Sequence, residues 1–375
     1  MLDIYRSRDF YVKHFGAEVR TMPDKTHGGG MKDKGGVLVL IDGAMGEGGG
    51  QILRTSLALS LCSGKPFRIV NLRARRKKPG FRHQHLVCVN AAAKIGGARI
   101  EGATLGSQEL MFAPMTIRPG HYHFDIGTAG STTLVLQSVL PALLIANGPS
   151  TLILEGGTHN PFAPTFDFLQ QVFLPIINRM GPKVEALLER PGYYPKGGGR
   201  LSVAIQPAKK LKAFCLHERG KIRERRATAA VAGLPRHIAQ REIGVIGQKL
   251  GWGEECLYIK EEPADMGPGN IVTIEIKSEY ISEVFTGFGE RGVRAETVGD
   301  KAAKAALRYL DAGVPVCDHL ADQLLLPFAL AGGGSYNTLK PTSHTTTNSE
   351  VLKLFMDIGI SMDRISNDIW QITLS

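Results

Sequence analysis

The chain is expected to fold as an α/β (α+β) protein: a large domain of repeated modules with a smaller α/β domain inserted into it. Three observations predict this. A pattern of glycine turn, apolar helix-like stretch, Gly/Pro break and strand recurs three times, and recurrence of this kind marks repeated modules whose helices pack an apolar face on a sheet. A block of different texture separates the second copy from the third. The length, 375 residues with 43 % hydrophobic content, is enough for two or three domains with their own cores.

Residues 1–35 are polar, glycine-rich at "THGGGMKDKGG" and without sustained period, so they are expected to be a disordered N-terminal extension. Met31 stands just before the first convincing strand, "VLVLIDG" from Val37 to Gly43, and the true start of the protein is expected at that methionine. The first copy follows as "GEGGGQILRTSLALSLCSGKPFRIVNL", and the second as "GTAGSTTLVLQSVLPALLIANGPSTLILEGG" from Gly127 to Gly157. A weaker third, "HLADQLLLPFALAGGGSYNTLKP", runs from His319 to Pro341.

Between the second and third copies, "RERRATAAVAGL" is expected to be a strand and "PRHIAQREIGVIGQKLG" an amphipathic helix opened by Pro235. "EECLYIKE" and "NIVTIEIKSEY" are expected strands, and "VRAETVGDKAAKAALRYLDAG" a long helix. The expected division is therefore 36–216 and 313–375 for the large domain, with 217–312 inserted.

Composition narrows the function classes. No apolar run approaches 18 residues and the N-terminus lacks a secretory h-region, so the expectation is a cytoplasmic protein with no membrane partner. Five cysteines stand singly without CxxC spacing, which argues against a disulfide framework or a zinc cluster; they are expected to be small, buried and inert. The net charge of +10 suggests an anionic partner such as nucleic acid or nucleotide. It is concentrated in "RARRKKPGFRHQH", Arg73 to His85, where the Pro79-Gly80 turn favours a positioned loop over a solvated face.

Among the motifs, no GxxxxGK[ST] occurs, which excludes a P-loop NTPase. The GxGxxG in "GFGERG", Gly287 to Gly292, is weak evidence for a dinucleotide because no strand is expected after the helix that follows. "GAMGEGGGQILR", Gly43 to Arg54, sets consecutive glycines before a helix, an arrangement that brings backbone N–H groups and a positive helix end to an anion. Glu47 contradicts a bare phosphate nest unless a hard divalent cation lies between its carboxylate and the phosphates. "HQH" (His83–His85) and "HYH" (His121–His123) would put both rings on one strand face, but no third zinc ligand is evident. "RPGYYPKGGGR", Arg190 to Arg200, could contact RNA bases or form a hairpin turn. "PTSHTTTN", residues 341–348, sets one histidine in a hydroxyl-rich loop, where metal ligation, acid/base work, nucleophilic attack or no role are all open.

Together and in order, "DGAMGEGGGQILRTSLALS", "RARRKKPGFRHQH", "IGTAGSTTLVLQSVLPALL", "GGTHNPFAPTFDF", "YYPKGGGR", "DMGPGN", "HLADQLLLPFALAGGGSY" and "SHTTTNSEVL" resemble the RNA 3′-terminal phosphate cyclases. The resemblance covers residue 36 to the end. It implies three βαβαββ-type units, related to the enolpyruvate-transferase fold, with a small domain inserted. It also implies an ATP-dependent enzyme of the ligase class that takes RNA with a 3′-terminal phosphate to a 2′,3′-cyclic phosphodiester, with AMP and diphosphate released. The route would pass through a covalent histidinyl-AMP on His344 and an RNA(3′)pp(5′)A end.

By the same resemblance Glu47 holds Mg²⁺ or Mn²⁺, and Arg54, Arg73, Arg76 and Gln84 engage the triphosphate or the RNA terminal phosphate. Gln137, Pro164, His319, Asp322 and Gln323 line the adenylate pocket, Asp322 in position to orient the imidazole. His319 stands where some relatives carry an aromatic residue. The alternatives are an enolpyruvyl transferase-like enzyme, which has no need of the basic cluster, and a non-catalytic cyclase-like ribosome-biogenesis factor, which should lack His344. A purely RNA-binding module would leave Glu47, Asp322 and His344 idle.

Overall fold

In a computed structural model, the structure describes residues 38–375 and the backbone of the two-residue strand Val19–Arg20. The expected extension 1–35 otherwise lies outside the described residues. Val19–Arg20 pairs in parallel with the first strand of the first unit.

That unit runs strand Leu38–Asp42, helix Gly50–Ser63, strand Phe67–Val70, helix His83–Gly96, then strands Arg99–Glu101 and Leu110–Ala113. The second repeats it: strand His121–Asp125, helix Thr132–Leu144, strand Ser150–Gly156, a broken helix Phe166–Arg179, strands Lys183–Arg190 and Gly199–Gln206. The third starts with the short strand Cys215–Leu216 and resumes with helix Asp318–Ala331, strand Gly334–Thr338, helix Ser343–Phe355, and strands Ile360–Arg364 and Trp370–Leu374.

In each unit's sheet the first strand lies parallel to the second, the fourth runs antiparallel beside the second, and the third takes the outer edge. The parallel pair needs a crossover, and the unit's first helix supplies it. The α/β class and the threefold βαβαββ repeat are therefore as expected.

The inserted residues form a sheet of their own between the first strand and first helix of the third unit. Its strand order is Leu257–Glu262, Ile222–Ala232, Gly269–Ser278, Ser282–Phe288. Helix Arg236–Leu250 makes its parallel crossover, and helix Ala295–Ala312 packs beside it. No strand follows the latter helix before Asp318, so the "GFGERG" turn opens no βαβ unit. "RPGYYPKGGGR" is the hairpin connection of the second unit.

One apolar core spans the units. Helix Gly50–Ser63 packs against both Thr132–Leu144 and Ser343–Phe355, and Asp318–Ala331 packs on the last of these. Leu53 and Leu57 at this junction are fully buried, so truncating either to Ala should cost about 2–5 kcal/mol. The packing brings the N-terminal ends of helices from different units together.

The cysteines depart from expectation in part. Cys88 and Cys317 are buried, but Cys62 and Cys256 are only partly so, and Cys215 is exposed on a two-residue strand at a sheet edge. Among the described residues no helix is long and apolar enough to cross a membrane.

Candidate active site

His344 does not sit in a loop. Thr342 caps the helix Ser343–Phe355 by accepting the Thr345 N–H at 3.3 Å, and this satisfies a first-turn donor and starts the helix one residue before His344. The hydroxyls that suggested a loop serve the helix itself. Thr346 Oγ1 donates to Ser343 O at 3.1 Å and Ser349 Oγ to Thr346 O at 2.8 Å, while Thr345 and Thr347 are buried. They do not hold the imidazole.

Two residues on the glycine-rich turn and the helix it opens do. His344 Nε2 lies 2.8 Å from Glu47 Oε2, and Nδ1 is hydrogen-bonded to Gln51 Oε1. Ser343 Oγ donates to the other Glu47 oxygen. The close approach depends on Gly46, whose φ is 50° and where a Cβ would lie 2.0 Å from Thr347 Oγ1.

Gln51 settles the tautomer. Its Nε2 donates to Asp322 Oδ1 at 2.6 Å, so its Oε1 is the atom turned to the ring, and an amide oxygen can only accept. His344 Nδ1 must therefore carry a hydrogen, and in the neutral ring the lone pair is on Nε2. Asp322 is held in turn by Asn348 Nδ2 at 3.0 Å, and Thr55 Oγ1 donates to Asn348 Oδ1 at 2.7 Å. Asp322 thus reaches the imidazole through Gln51 rather than directly.

The surroundings disfavour the charged form of the ring. Burial, then Arg54, His319 and Arg76, pull the His344 imidazole below its ordinary value, against the opposing pull of Glu47. Burial pushes the Asp322 carboxyl up to about 6 despite its hydrogen bonds from Asn348 and Gln51.

Arg54 Nε donates to Gln137 Oε1 at 3.3 Å across the contact between the first helices of the first and second units. Arg76 Nη2 reaches Glu47 O at 3.3 Å. Arg73 turns inward: its Nη1 donates to Lys78 O and Gly80 O, both at 2.9 Å, so it braces the basic loop. Gln84 Oε1 accepts from Ser131 N at 3.2 Å, and Pro164 O accepts from Thr133 Oγ1 at 2.6 Å, which makes these two a neighbouring group tied by the start of one helix. His319 is exposed and Gln323 partly buried on the helix that carries Asp322.

Sequence reasoning did not name Gln51 or Asn348, and it weighed His85 only as half of a strand-borne histidine pair. Gln51 and Asn348 lay inside the quoted motifs, at the second position of one helix and one turn after His344 on another, so helical spacing was the available signal. "HQH" opens a helix rather than lying on a strand: Arg82 N donates to His85 Nδ1 at 3.1 Å. His85 packs against Gly50, where a Cβ would lie 2.5 Å from its Nε2, and burial with Arg54, Arg73 and Arg82 brings its pKa down to about 3. "HYH" is on a strand, with His121 Nδ1 hydrogen-bonded to Thr151 Oγ1 at 2.6 Å and His123 Nε2 lying 3.4 Å from Glu155 Oε1.

Among the described residues no group of three His, Cys, Asp or Glu side chains could hold a metal ion. Glu47, with its carboxylate a quarter exposed, could still share a cation with an incoming phosphate, since Mg²⁺ is usually held by one or two carboxylates plus phosphate oxygens. The whole arrangement is an imidazole with Nδ1 turned to Gln51 and Nε2 turned to Glu47, at the meeting of positive helix ends and two arginines. It can attack an electrophilic phosphorus and stabilise the charge on a leaving phosphate.

A family model described as RNA 3′-terminal phosphate cyclase matches residues 45–362. The chain is 49 % identical over 334 residues to a protein of Koribacter versatilis named RNA 3′-terminal phosphate cyclase, a match covering 89 % of this chain and 94 % of that one. Proteins of the same name from Ectopseudomonas mendocina (46 % over 334 residues) and Pseudomonas fluorescens (49 % over 335) match 89 % of this chain and 97 % of their own lengths.

Proposed function

The chain belongs to the RNA 3′-terminal phosphate cyclase family and is an enzyme, and from that premise we propose that it uses ATP to close RNA 3′-phosphate ends through a histidinyl adenylate on His344. The observation that carries this reading is the His344 ring held at Nδ1 by Gln51, which leaves Nε2 as the nucleophilic atom.

In the first step Nε2 attacks the α-phosphorus of ATP, an N–P bond forms, the P–O bond to the β-phosphate breaks and diphosphate leaves with the electron pair. The hydrogen stays on Nδ1, and its hydrogen bond to Gln51 Oε1 stabilises the ring as its charge rises. Arg54 and Arg76 neutralise the departing phosphates. In the second step an oxygen of the RNA 3′-phosphate displaces His344 from phosphorus and restores the free imidazole. In the third the neighbouring 2′-hydroxyl attacks the 3′-phosphorus, loses its proton and expels AMP. Splitting the reaction makes each displacement in-line and leaves positioning as the main task of the protein.

Glu47 would hold Mg²⁺ or Mn²⁺, and a divalent ion bound there would offset charge on the triphosphate. Gln84 and the Arg73 loop would receive the RNA end, while Gln137, Pro164, His319, Asp322 and Gln323 would surround the adenylate. We also take 36–216 with 313–375 as the catalytic domain and 217–312 as the insert, in a cytoplasmic setting. Incubation with ATP, divalent ion and a 3′-phosphorylated oligonucleotide tests the reading: phosphatase-resistant ends should accumulate with equimolar AMP and diphosphate. Ends that stay phosphatase-sensitive would overturn it.

A further inference from the structure

Phe162 is 99 % exposed, and its backbone lies in the left-handed region with φ 62°. A single exposed apolar side chain is ordinary on a protein surface, but one on strained backbone persists only where its surroundings hold it. Here they do. Thr133 Oγ1 holds Pro164 O at 2.6 Å, and Asn160 Nδ2 donates to Ala129 O. Phe166 N bonds Thr158 O at 3.1 Å, and Thr165 caps the next helix. Pro161 and Pro164 further restrict the segment between these anchors.

The braced segment borders both proposed pockets, through Pro164 that of the adenylate and through Ser131 that of the RNA end. Ser131, whose Oγ lies 2.7 Å from Thr133 Oγ1, donates its N–H to Gln84 at 3.2 Å. Gln84 is on the helix that continues the basic loop Arg73–Arg82. One turn beyond Thr133, Gln137 accepts from Arg54 at 3.3 Å. A protein partner would need an apolar patch of several hundred Å², which a lone ring does not provide, whereas the face of a nucleobase stacks on one ring.

We propose that Phe162 is the stacking platform for the 3′-terminal base of the RNA, whose phosphate enters between the basic loop and His344. This rests on the reading of the chain as an RNA cyclase. The adenine of ATP is the other base in the reaction, and the test separates the two.

Binding of a fluorescent 3′-phosphorylated oligonucleotide should weaken about tenfold in Phe162→Ala, as loss of one base stack implies, and recover in Phe162→Trp. Phe162→Gly should lose the same affinity without any fall in melting temperature, because glycine accepts this φ. An oligonucleotide with an abasic 3′-phosphorylated terminus should bind the unmodified protein as weakly as the normal one binds Phe162→Ala, with no further loss in that variant. Self-labelling by α-labelled ATP without RNA should be unchanged in every variant. Unchanged RNA affinity in Phe162→Ala would overturn the proposal, as would slower labelling in its place, which would assign the ring to adenine. If the unmodified protein takes no label, the adenylate reading fails, and the RNA affinities still decide the role of Phe162.

Discussion

His344 Nε2 faces Glu47 Oε2 at 2.8 Å while Gln51 occupies the other ring nitrogen. Because Nδ1 carries a hydrogen, the atom beside the carboxylate is the one with the lone pair in the neutral ring, and two acceptors at that distance need a proton or a cation between them. Attack on phosphorus requires Nε2 to be bare. A divalent ion arriving with ATP would draw Glu47 away from the ring.

Glu47→Gln should therefore shift the divalent-ion dependence of self-adenylation to higher concentration and slow the step, with the fold retained. Metal titration of the labelling rate checks this. A titration curve like that of the unmodified protein would make Glu47 a partner of Ser343 and His344 alone.

Gln51→Ala removes the group that sets the tautomer and leaves Asp322 with one fewer donor. The labelling rate at saturating ATP should fall by about 10–100-fold, the range typical of losing a partner that orients a reacting group, with little change in KM for ATP. A rise in KM with an unchanged rate would make Gln51 a binding residue.

Gly46→Ala sets a methyl 2.0 Å from Thr347 Oγ1 on backbone with φ 50°. Both effects push the Glu47 turn away from the His344 helix. The variant should melt lower, by about 1–3 kcal/mol of stability for a strained residue, and label slowly. Thr347→Ala in the same protein should restore part of the labelling rate. No recovery would show that the turn, not its contact with the helix, is what fails.

Glu283 joins the inserted sheet to the helix that carries Asp322: Cys317 N donates to its Oε1 at 2.7 Å and Cys317 Sγ lies 3.1 Å from Oε2. Burial pushes this carboxyl up to about 8, although the bonds from Cys317 work against it. The folded state then binds a proton that the unfolded chain has released above about 4.5, so stability falls as pH rises through that window. The melting temperature should be lower at pH 8 than at pH 5, and Glu283→Gln should flatten the difference. Equal pH dependence in the two proteins would remove Glu283 as its source.

The repeat was legible because glycine turns and apolar runs mark the first helix and second strand of every unit, and the inserted block was legible as an interruption of that rhythm. The second helices and edge strands came only through family resemblance, since stretches such as "HQHLVCVNAAAKIG" carry no strong start signal of their own. His344 and Glu47 were legible as motif residues. The relay Asp322–Gln51–His344 was not, because it joins residues 271 and 293 positions apart in sequence, and only the packing of the helices brings them together. The helix around His344 was misread for a local reason: a Thr-rich run has weak helix propensity, and the Thr342 cap and the burial of Thr345 and Thr347 override it.

The most direct measurement is self-labelling by α-labelled ATP with divalent ion, comparing the unmodified protein with His344→Asn. The unmodified chain should retain label that is lost in acid and survives alkali, as a phosphoramidate does, with diphosphate released one for one. His344→Asn should take no label while keeping its melting temperature, and His319→Ala should label at a reduced rate. Full labelling of His344→Asn, or label on the unmodified chain that resists acid, would contradict the assignment of His344 Nε2 as the covalent nucleophile.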